Sequence, residues 1–359
     1  MDLKQRFEEF FSNIKGNDKV AIFFDPDPDG MAAAVIFNKA LEKFRGKTAD
    51  MVLWQDHGDL YINDENVNKL KQGEINKVVF LDMAVDQYPE RIHKIKEFAE
   101  VCVIDHHKLY VQDDSLLILK PQLLHDKEPS SYVTAKFVYD LVTEFVCLDE
   151  LDWLVCVGLI GDAAWRRWKP FIDKVCDKYG YDKNKILEGQ LGHAMRTIAS
   201  ALEFEGDVVK VCFEEVMKAG SADDVEKSKL IKYKEIISEE LFKAYKEFKQ
   251  KAERFGDLVW FEFKSKYSIG STLSTRVSFK EPNKTFVILQ DAGEEFYRLS
   301  LRRQDKKVKV NELVKKAIEG LENASGGGHV PAAGGRVMKK DIEKFKQNII
   351  KCLLEHGCH

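Results

Sequence analysis

The sequence predicts an α/β protein with a mostly parallel sheet domain, a helical connector and a smaller α/β C-terminal domain. In the first half, short aliphatic runs alternate with amphipathic stretches, the pattern of strands joined by crossover helices. From residue 131 to about 251 the periodicity is almost wholly helical, and strand-like runs return after it. The predicted limits are 1–200 for the sheet domain, 201–252 for the connector and 253–359 for the last domain.

Each predicted element rests on its own run of residues. Four aliphatic runs in the first half predict strands, at 20–24, 51–55, 78–81 and 101–104. Helical spacing separates and follows them, at 31–44, 66–72, 87–98, 132–144, 149–165, 186–203, 208–218 and in a charged stretch from 224. Strands are predicted again at 257–263, 285–290 and 296–301. A glycine-rich segment then lies between helices at 310–321 and 340–354.

Composition excludes several classes of protein. The chain has 359 residues, 44% hydrophobic and 32% charged, which suits two globular domains and neither a disordered nor a collagen-like chain. Its apolar runs are far shorter than the roughly 20 residues that cross a bilayer, and its first residues lack the apolar core of a signal peptide. We therefore expect a cytoplasmic protein with no membrane partner. Seven cysteines, never spaced C-x-x-C, encode neither a disulfide framework nor a zinc site.

Charge is uneven along the chain, although the formal net charge is only -4. Residues 1–250 carry 35 basic and 46 acidic side chains, whereas residues 251–359 carry 21 basic and 14 acidic ones. A cluster of metal-binding carboxylates would contribute to an acidic half, and a basic half favours a polyanionic substrate through counterion release. Solvated helix faces that are unevenly distributed explain the asymmetry equally well.

Three aspartates follow the first predicted strand. Residues 25–30 have the sequence D-P-D-P-D-G, which places Asp25, Asp27 and Asp29 at the carboxyl end of the strand, just before a helix. Ligand sites in open α/β sheets lie at this end of the strands. The same pattern opens an EF-hand calcium loop. That loop needs an entering helix and a glutamate at its twelfth position, where this chain has Ile36.

Two further predicted strands end in ionisable residues in the same way. Asp82 follows one strand, and Asp105, His106 and His107 follow another, while Asp162 ends a later apolar segment. Carboxylates placed side by side repel one another unless cations neutralise them. Oxygen ligands with one or two imidazoles suit Mn²⁺ or Mg²⁺, and two ions are the natural number where a displacement at phosphorus is catalysed.

The order and spacing of these motifs resemble the DHH phosphoesterase superfamily. Its four motifs correspond to residues 25–30, to Asp82, to residues 105–107 and to Asp162. The segment 325–334, S-G-G-G-H-V-P-A-A-G, is similar to the G-G-G-H-x-x-A-A-G signature of the DHH-associated C-terminal domain, and residues 299–302 resemble its substrate-facing strand. The resemblance implies a DHH catalytic domain with a two-metal site, followed by a substrate-binding domain.

The resemblance also implies a role for each matched residue. The implied ligands of two Mn²⁺ or Mg²⁺ ions per active site are Asp25, Asp27, Asp29, Asp82, His106 and Asp162. The resemblance also implies three catalytic residues. Asp82 bridges the two ions, His107 faces the scissile phosphate, and Asp105 orients an imidazole. The implied substrate contacts in the last domain are Arg302, Gly326, Gly327, Gly328 and His329. Arg276 and Arg303 are further candidates for a nucleic-acid groove, and surface salt bridges explain them equally well.

One position separates this chain from part of the superfamily. Pyrophosphatases and small-oligonucleotide enzymes of the family usually have a histidine four residues before the position of Asp27, where this chain has Phe23. RecJ-like members have the D-x-D-x-D-G form instead, which implies that Asp25 occupies the coordination space that this histidine fills elsewhere. The resemblance therefore favours RecJ-like nucleases, including archaeal ones, although the chain lacks the length for the extra nucleic-acid-binding domain of bacterial RecJ.

The expected activity is metal-dependent phosphodiester hydrolysis, with release of mononucleotides from the end of single-stranded DNA or RNA. One alternative is an enzyme for short substrates: a nanoRNase, a cyclic or linear dinucleotide phosphodiesterase, or a 3'-phosphoadenosine 5'-phosphate phosphatase. A second alternative is an inactive replication scaffold, against which the intact ligand positions argue. The resemblance leaves open a homodimer and a replication or repair partner.

Overall fold

The first sheet of this computed structural model, which describes residues 2–55, 62–124, 131–291, 293 and 295–356, has five parallel strands. They are β1 (Val20–Phe24), β2 (Met51–Trp54), β3 (Lys77–Leu81), β4 (Glu100–Ile104) and β5 (Leu117–Leu119). Their order is β2-β1-β3-β4-β5, so the winding direction reverses between β1 and β3. In open parallel sheets a crevice opens at the carboxyl ends of the strands at such a reversal, and ligands bind there.

Twelve helices accompany or follow this sheet within the described residues. They are α1 (Leu3–Ser12), α2 (Pro28–Arg45), α3 (Asp64–Gln72), α4 (Pro89–Lys96), α5 (Pro121–Leu124), α6 (Thr134–Val142), α7 (Asp152–Gly161), α8 (Lys169–Tyr179), α9 (Gln190–Leu202), α10 (Asp207–Lys218), α11 (Ala222–Lys227) and α12 (Ile231–Lys251). Successive strand residues face opposite sides of the sheet. Phe23 and Phe80 accordingly pack with apolar residues of α3 and α4, whereas Phe24 packs with Phe213 of α10.

The second sheet is mixed and has six strands. Its strands are β6 (Glu253–Phe255), β7 (Leu258–Lys264), β8 (Thr285–Asp291), β9 (Phe296–Arg302), β10 (Ser325–His329) and β11 (Ala332–Met338), in the order β10-β11-β9-β8-β7-β6. Only the pair β7 and β8 is parallel, because helix α13 (Gly270–Ser278) crosses between them. Helices α14 (Val310–Ala317) and α15 (Ile342–His356) complete this part of the chain.

Both faces of the second sheet are covered. Alternate residues of β7 point to different cores: Trp260 packs with α14 and α15, and Phe261 packs with α12 and α13. The chain divides into two compact units, one of residues 1–202 and 206–232 and the other of residues 203–205 and 233–359. The domain limits predicted from the sequence, at residues 200 and 252, stay a prediction.

The predicted fold class is confirmed: a parallel sheet precedes a long helical stretch and a smaller α/β part. Strands β5, β6 and β11 and helices α1, α5, α8 and α13 were not predicted, and the glycine-rich segment, for which no element was predicted, forms β10. Within the described ranges no helix is long and apolar enough to cross a membrane. Cys102, Cys156, Cys176 and Cys212 are buried and form no disulfide.

Candidate active site

The aspartate-rich loop after β1 is folded tightly against its own helix. Asp27 caps α2, since its Oδ1 accepts hydrogen bonds from the backbone N–H groups of Asp29 (2.9 Å) and Gly30 (2.8 Å). The carbonyl oxygen of Asp25 lies so close to Gly30 that a Cβ there would stand 2.2 Å from it. Glycine is therefore required at position 30, and the turn brings Asp25, Asp27 and Asp29 to one end of the strand.

Asp29 is buried and is bound by a second helix. Its two carboxylate oxygens accept hydrogen bonds from the backbone N–H groups of Thr134 (2.7 Å) and Ala135 (2.9 Å), the first residues of α6. Carboxylates are stabilised at helix N-termini, where backbone N–H groups have no partner within the helix. A Cβ on Gly158 of α7 would lie 2.5 Å from Asp29 Oδ1, so α7 also reaches this carboxylate.

Asp82 follows β3 and lies among the other predicted ligands. Its backbone φ is +61°, a left-handed conformation that side chains other than glycine, asparagine and aspartate rarely adopt. Its Oδ1 accepts a hydrogen bond from Thr134 Oγ1 (2.7 Å) and lies 3.4 Å from His106 Nε2. The same imidazole nitrogen lies 3.1 Å from Asp162 Oδ2 at the end of α7. The structure thus brings Asp82, His106 and Asp162 together.

Asp105 joins His107 to a buried lysine. His107 Nδ1 lies 2.7 Å from Asp105 Oδ1, and the ammonium of Lys120 donates to Asp105 Oδ2 (2.6 Å). Lys120 also lies 3.0 Å from Asp86 and donates to the backbone carbonyls of residues 107 and 108. Burial raises the pKa of Asp105, but Lys120 and His107 outweigh it, and the net pKa lies well below the usual range. Asp105 is therefore ionised and accepts a hydrogen bond from His107 Nδ1.

The remaining carboxylates are crowded. Burial, followed by the charge of a neighbouring aspartate, raises the pKa of Asp25 to about 8 and those of Asp27 and Asp29 well above the usual range. Burial also raises the pKa of Asp82 to about 6, although His106 opposes it. Each carboxylate thus resists ionisation beside the others. A divalent cation in their midst would reverse this effect, because it attracts the ionised forms.

The donor set fits such a cation. Within the first unit, three groups of described residues place ligand atoms within 4.8 Å of one another: Asp29, Asp82 and His106; Asp25, Asp27 and Asp82; and Asp82, Asp105 and His107. Asp82 belongs to all three. Carboxylate oxygens with one or two imidazoles are ligands that suit Mn²⁺ or Mg²⁺. The assignment of individual ligands stays a prediction.

The C-terminal substrate candidates form a second group. Arg302 ends β9 and donates to Ser271 Oγ (2.8 Å) of α13 and to the carbonyl oxygen of Ala333 (3.3 Å) on β11. β11 pairs with β10, which carries Gly326, Gly327, Gly328 and His329. A Cβ on Gly327 would meet nothing within 4 Å, so packing does not require glycine there. Burial lowers the pKa of Arg302 to about 10, which leaves the guanidinium charged at neutral pH.

The other two arginine candidates differ from each other. Arg303 is 5% exposed, and its guanidinium donates to Asp305 (2.7 and 3.1 Å). Arg276 is exposed on α13 and stacks over the ring of Tyr245, with 5.1 Å between Cζ and the ring centroid. Arg303 thus has a structural partner, whereas Arg276 remains accessible. Substrate binding by either arginine stays a prediction.

Sequence reasoning missed two residues of the candidate site. Lys120 follows the apolar run 116–119, which is β5, and is followed by Pro121. That is the same signal, an ionisable residue at the end of a strand, that pointed to Asp82 and Asp105. Thr134 carried no such signal, because its contacts to Asp29 and Asp82 arise from the packing of α6.

Comparison with known families assigns both parts of the chain. Residues 19–156 match the DHH family, N-terminal domain, and residues 261–355 match the DHHA1 domain. Together these matches cover more than half of the chain. No curated protein sequence matches it significantly.

Solved structures share the fold at low sequence identity. RecJ from Thermus thermophilus in complex with Mn²⁺ superposes with a TM-score of 0.72 at 14% identity, over 97% of this chain and 53% of that one. The same RecJ is also known in complex with Mg²⁺. CDC45 from Entamoeba histolytica gives a TM-score of 0.64 at 11% identity, covering 97% and 99%. The pGpG-specific phosphodiesterase PggH from Vibrio cholerae gives 0.51 at 13%, covering 95% and 100%.

These likenesses concern the fold, and the chain spans about half the length of the Thermus RecJ. The family matches carry the assignment, since they contain both the aspartate motifs after β1, β3 and β4 and the glycine-rich strand β10. The chain therefore belongs to the DHH superfamily, with a RecJ-like fold in which a DHH domain is followed by a DHHA1 domain.

Proposed function

We propose that the protein is a divalent-cation-dependent phosphodiesterase that releases mononucleotides from an end of single-stranded DNA or RNA. The observation that carries this proposal is the group of carboxylates and imidazoles that converges on Asp82 at the carboxyl ends of β1, β3 and β4. Family membership supports the same chemistry, because most DHH-family proteins are phosphoesterases.

The cation ligands in this proposal are the residues predicted from the sequence, Asp25, Asp27, Asp29, Asp82, His106 and Asp162. When bound, two Mn²⁺ or Mg²⁺ ions supply a nucleophile at neutral pH and Lewis-acid stabilisation of the charge that develops at phosphorus. Thr134 supports this role, since its hydroxyl and backbone N–H hold Asp82 and Asp29 in one orientation. Ligands fixed in this way need little reorganisation when ions bind.

His107 is the proton donor in this proposal. Burial lowers its pKa, but the ionised Asp105 outweighs burial and raises the pKa to about 9, so the imidazole is protonated at neutral pH. Nδ1 donates to Asp105, and Nε2 is then the nitrogen that can donate to a phosphate oxygen or to the leaving oxygen. Lys120 keeps Asp105 ionised and thereby fixes the orientation of the ring.

Substrate binding by the DHHA1 domain is the third part of the proposal. Gly327 leaves space into which a phosphate can approach the backbone. His329 on the same strand and the charged Arg302 on β9, which pairs with the other edge of β11, are the proposed donors for such a group. Arg276 is proposed to contribute from α13. Arg303 is a weaker candidate, since its guanidinium already donates a hydrogen bond to Asp305.

A second candidate is a phosphodiesterase for dinucleotides or other very short substrates. The observation in its favour is that this chain matches the whole length of PggH, whose name gives pGpG as its substrate. The similarity of the fold to CDC45 supports the scaffold alternative. The convergence of ligand atoms on Asp82 speaks against a purely structural role.

Hydrolysis of a length series separates these candidates. Labelled single-stranded DNA and RNA, from dinucleotides to strands of about 30 nucleotides, are incubated with Mn²⁺, Mg²⁺ or EDTA. Asp82→Asn is the test variant because asparagine tolerates the left-handed backbone while removing the charge. Asp173→Asn, at an ion-paired surface position, is the matched control.

We expect stepwise mononucleotide release from long strands, and a loss of at least about a hundredfold in rate with EDTA or in Asp82→Asn. Asp173→Asn should behave as wild type. Turnover confined to very short substrates would replace the exonuclease by the second candidate. Activity in Asp82→Asn equal to wild type would refute the assigned site, and no hydrolysis of any substrate would favour the scaffold.

A further inference from the structure

An exposed face of the second unit combines aromatic rings with basic side chains. It is formed by α12 and α13 and is called here the cation–aromatic face; its members are Phe242, Tyr245, Lys246, Lys249, Arg276, Phe279 and Lys280. Residues 242, 245, 246 and 249 are spaced three or four apart and share one side of α12. Arg276 and Lys280 contact Tyr245 of α12, so the two segments contribute to one surface.

Three cations meet at one ring of this face. The side-chain charges of Lys249, Arg276 and Lys280 lie 4.8, 5.1 and 4.5 Å from the ring centroid of Tyr245. Lys280 also donates to the Tyr245 hydroxyl (2.7 Å). A hydrogen bond from this lysine lowers the pKa of Tyr245, with a further contribution from the charge of Lys249. The ring thus lies in a strongly positive local field.

These cations lack acidic partners. Within the described ranges, none of Lys246, Lys249, Arg276 and Lys280 forms an ion pair with a carboxylate. Nearby acids are engaged elsewhere: Glu247 pairs with Lys251 (2.6 Å), and Glu281 pairs with Arg254 (2.8 Å). Four like charges that have no counter-ion among the described residues favour an external polyanion.

Two phenyl rings on the same face are exposed. Phe242 is 53% exposed and Phe279 is 60% exposed, although most phenylalanines of the chain are buried. Lys246 lies 4.4 Å from the ring centroid of Phe242. Exposed aromatic rings among basic side chains are the arrangement on which the bases of single-stranded nucleic acids stack while the cations contact phosphates. An acidic peptide would use the cations but not the rings.

We propose that the cation–aromatic face binds single-stranded DNA or RNA, with phosphates on Lys249, Arg276 and Lys280 and bases on Phe242 and Phe279. The face shares no residue with the glycine-rich strand or with the acidic residues around Asp82, and Arg276 is its one member that is also a substrate candidate. Its consequence for substrate choice, a preference for long strands over dinucleotides, rests on the proposed function. Binding itself requires no hydrolysis.

The test measures binding without turnover. Fluorescence anisotropy of a labelled single strand of about 20 nucleotides, longer than one typical binding site, is recorded with the full chain in EDTA. The test variant Lys249→Ala/Lys280→Ala is compared with Lys243→Ala/Lys251→Ala, which removes the same charge from lysines that already pair with glutamates. Circular dichroism checks that all variants fold.

We expect Lys249→Ala/Lys280→Ala to bind the strand at least about tenfold more weakly than wild type at 0.1 M salt. The slope of log K against log salt should become less steep by about 1.4, because two phosphate contacts are lost. The control pair should change the affinity much less. Phe279→Ala should weaken binding about fivefold or more, the lower end for one stacked base. Its matched control is Phe255→Ala, because Phe255 is 45% exposed on β6 and stacks with Lys346 instead.

The proposal is overturned if the test variants bind the strand as tightly as their controls. It is also overturned if polyglutamate displaces the strand as effectively as unlabelled nucleic acid does, because the face would then be a docking site for acidic proteins. The length series with Mn²⁺ tests the catalytic proposal separately. Loss of binding in the variants with no hydrolysis by wild type would uphold this face and reject the enzyme, whereas hydrolysis with unchanged binding would do the reverse.

Discussion

The acidic cluster around Asp82 and the cation–aromatic face around Tyr245 are both groups of like charges, but only the first is buried. Asp29 and Asp82 are at most 2% exposed. Burial is the largest cause of their raised pKa values, ahead of the charges of neighbouring residues. The cations of the other face lie on the surface, where water and salt screen their repulsion. Buried carboxylates therefore stay ionised together only with a bound counter-ion, whereas like charges on a surface attract a polyanion at little cost in stability.

The first and largest effect concerns Lys120, a fully buried lysine beside the acidic cluster. In Lys120→Met, the carboxylates of Asp86 and Asp105 remain buried and lose their ammonium partner. Removing the cation from a buried ion pair costs about 3 to 5 kcal/mol, because the carboxylates stay shielded from water and lose the ammonium charge that offsets their burial. We expect urea unfolding to show this loss in the free energy of unfolding.

Lys19→Met provides the control for that comparison. Lys19 pairs with Glu74 on the surface, where both side chains are at least 45% exposed, and such pairs contribute about 0 to 1 kcal/mol. Equal losses in the two variants would show that Lys120 is not the counter-ion of a buried carboxylate. Addition of Asp105→Asn to Lys120→Met should recover part of the stability, since one of the stranded charges is then removed.

The second effect concerns a buried acid that has no cation. Glu203 is 8% exposed; its Oε1 accepts a hydrogen bond from Thr272, while its Oε2 has no hydrogen-bond partner in the described part of the chain. Burial raises its pKa to about 7 from the model-compound value of 4.5. The folded state thus keeps a proton that the unfolded chain loses, so stability must fall as the pH rises from about 4.5 to 7.

Glu203→Gln removes this titration. We expect the free energy of unfolding of wild type to drop by up to about 3 kcal/mol across that pH range relative to the variant. Chemical denaturation at several pH values measures the difference. Glu214→Gln, at an exposed position on α10, should follow the wild-type profile. Parallel profiles for wild type and Glu203→Gln would contradict the assignment.

The third effect is stabilisation by the cation itself. Mn²⁺ should raise the free energy of unfolding by about 2.7 kcal/mol when its free concentration is about 100 times the Kd, since ions bind the folded state alone. Asp82→Asn should lose most of this gain because Asp82 belongs to all three ligand groups. Thermal unfolding with and without Mn²⁺ measures it, and Asp173→Asn should respond as wild type does. Equal stabilisation of Asp82→Asn would place the ion elsewhere.

Much of the fold and of the acidic cluster could be predicted from the sequence. Contacts that arise from tertiary packing could not. An aliphatic run that ends in an acid or a histidine marked the ends of β1, β3 and β4, because parallel strands deliver such residues to one edge. The same rule applied to 116–120 would have found β5 and Lys120. No local pattern could reveal that the carboxylate of Asp29 binds the N-terminus of α6, or that Arg276 contacts Tyr245, since these contacts join segments distant in the chain.

The smallest effect concerns the contribution of the cation–aromatic face to the free energy of unfolding. Removal of two of the three cations around Tyr245, in Lys249→Ala/Lys280→Ala, should change the free energy of unfolding by less than about 0.5 kcal/mol, as surface substitutions usually do. If repulsion among the cations matters, the variant becomes slightly more stable at low salt and the gain disappears at high salt. Thermal unfolding at two salt concentrations distinguishes these outcomes. A large loss of stability would mean that the lysines support the fold, and their positions would then be explained without a nucleic acid.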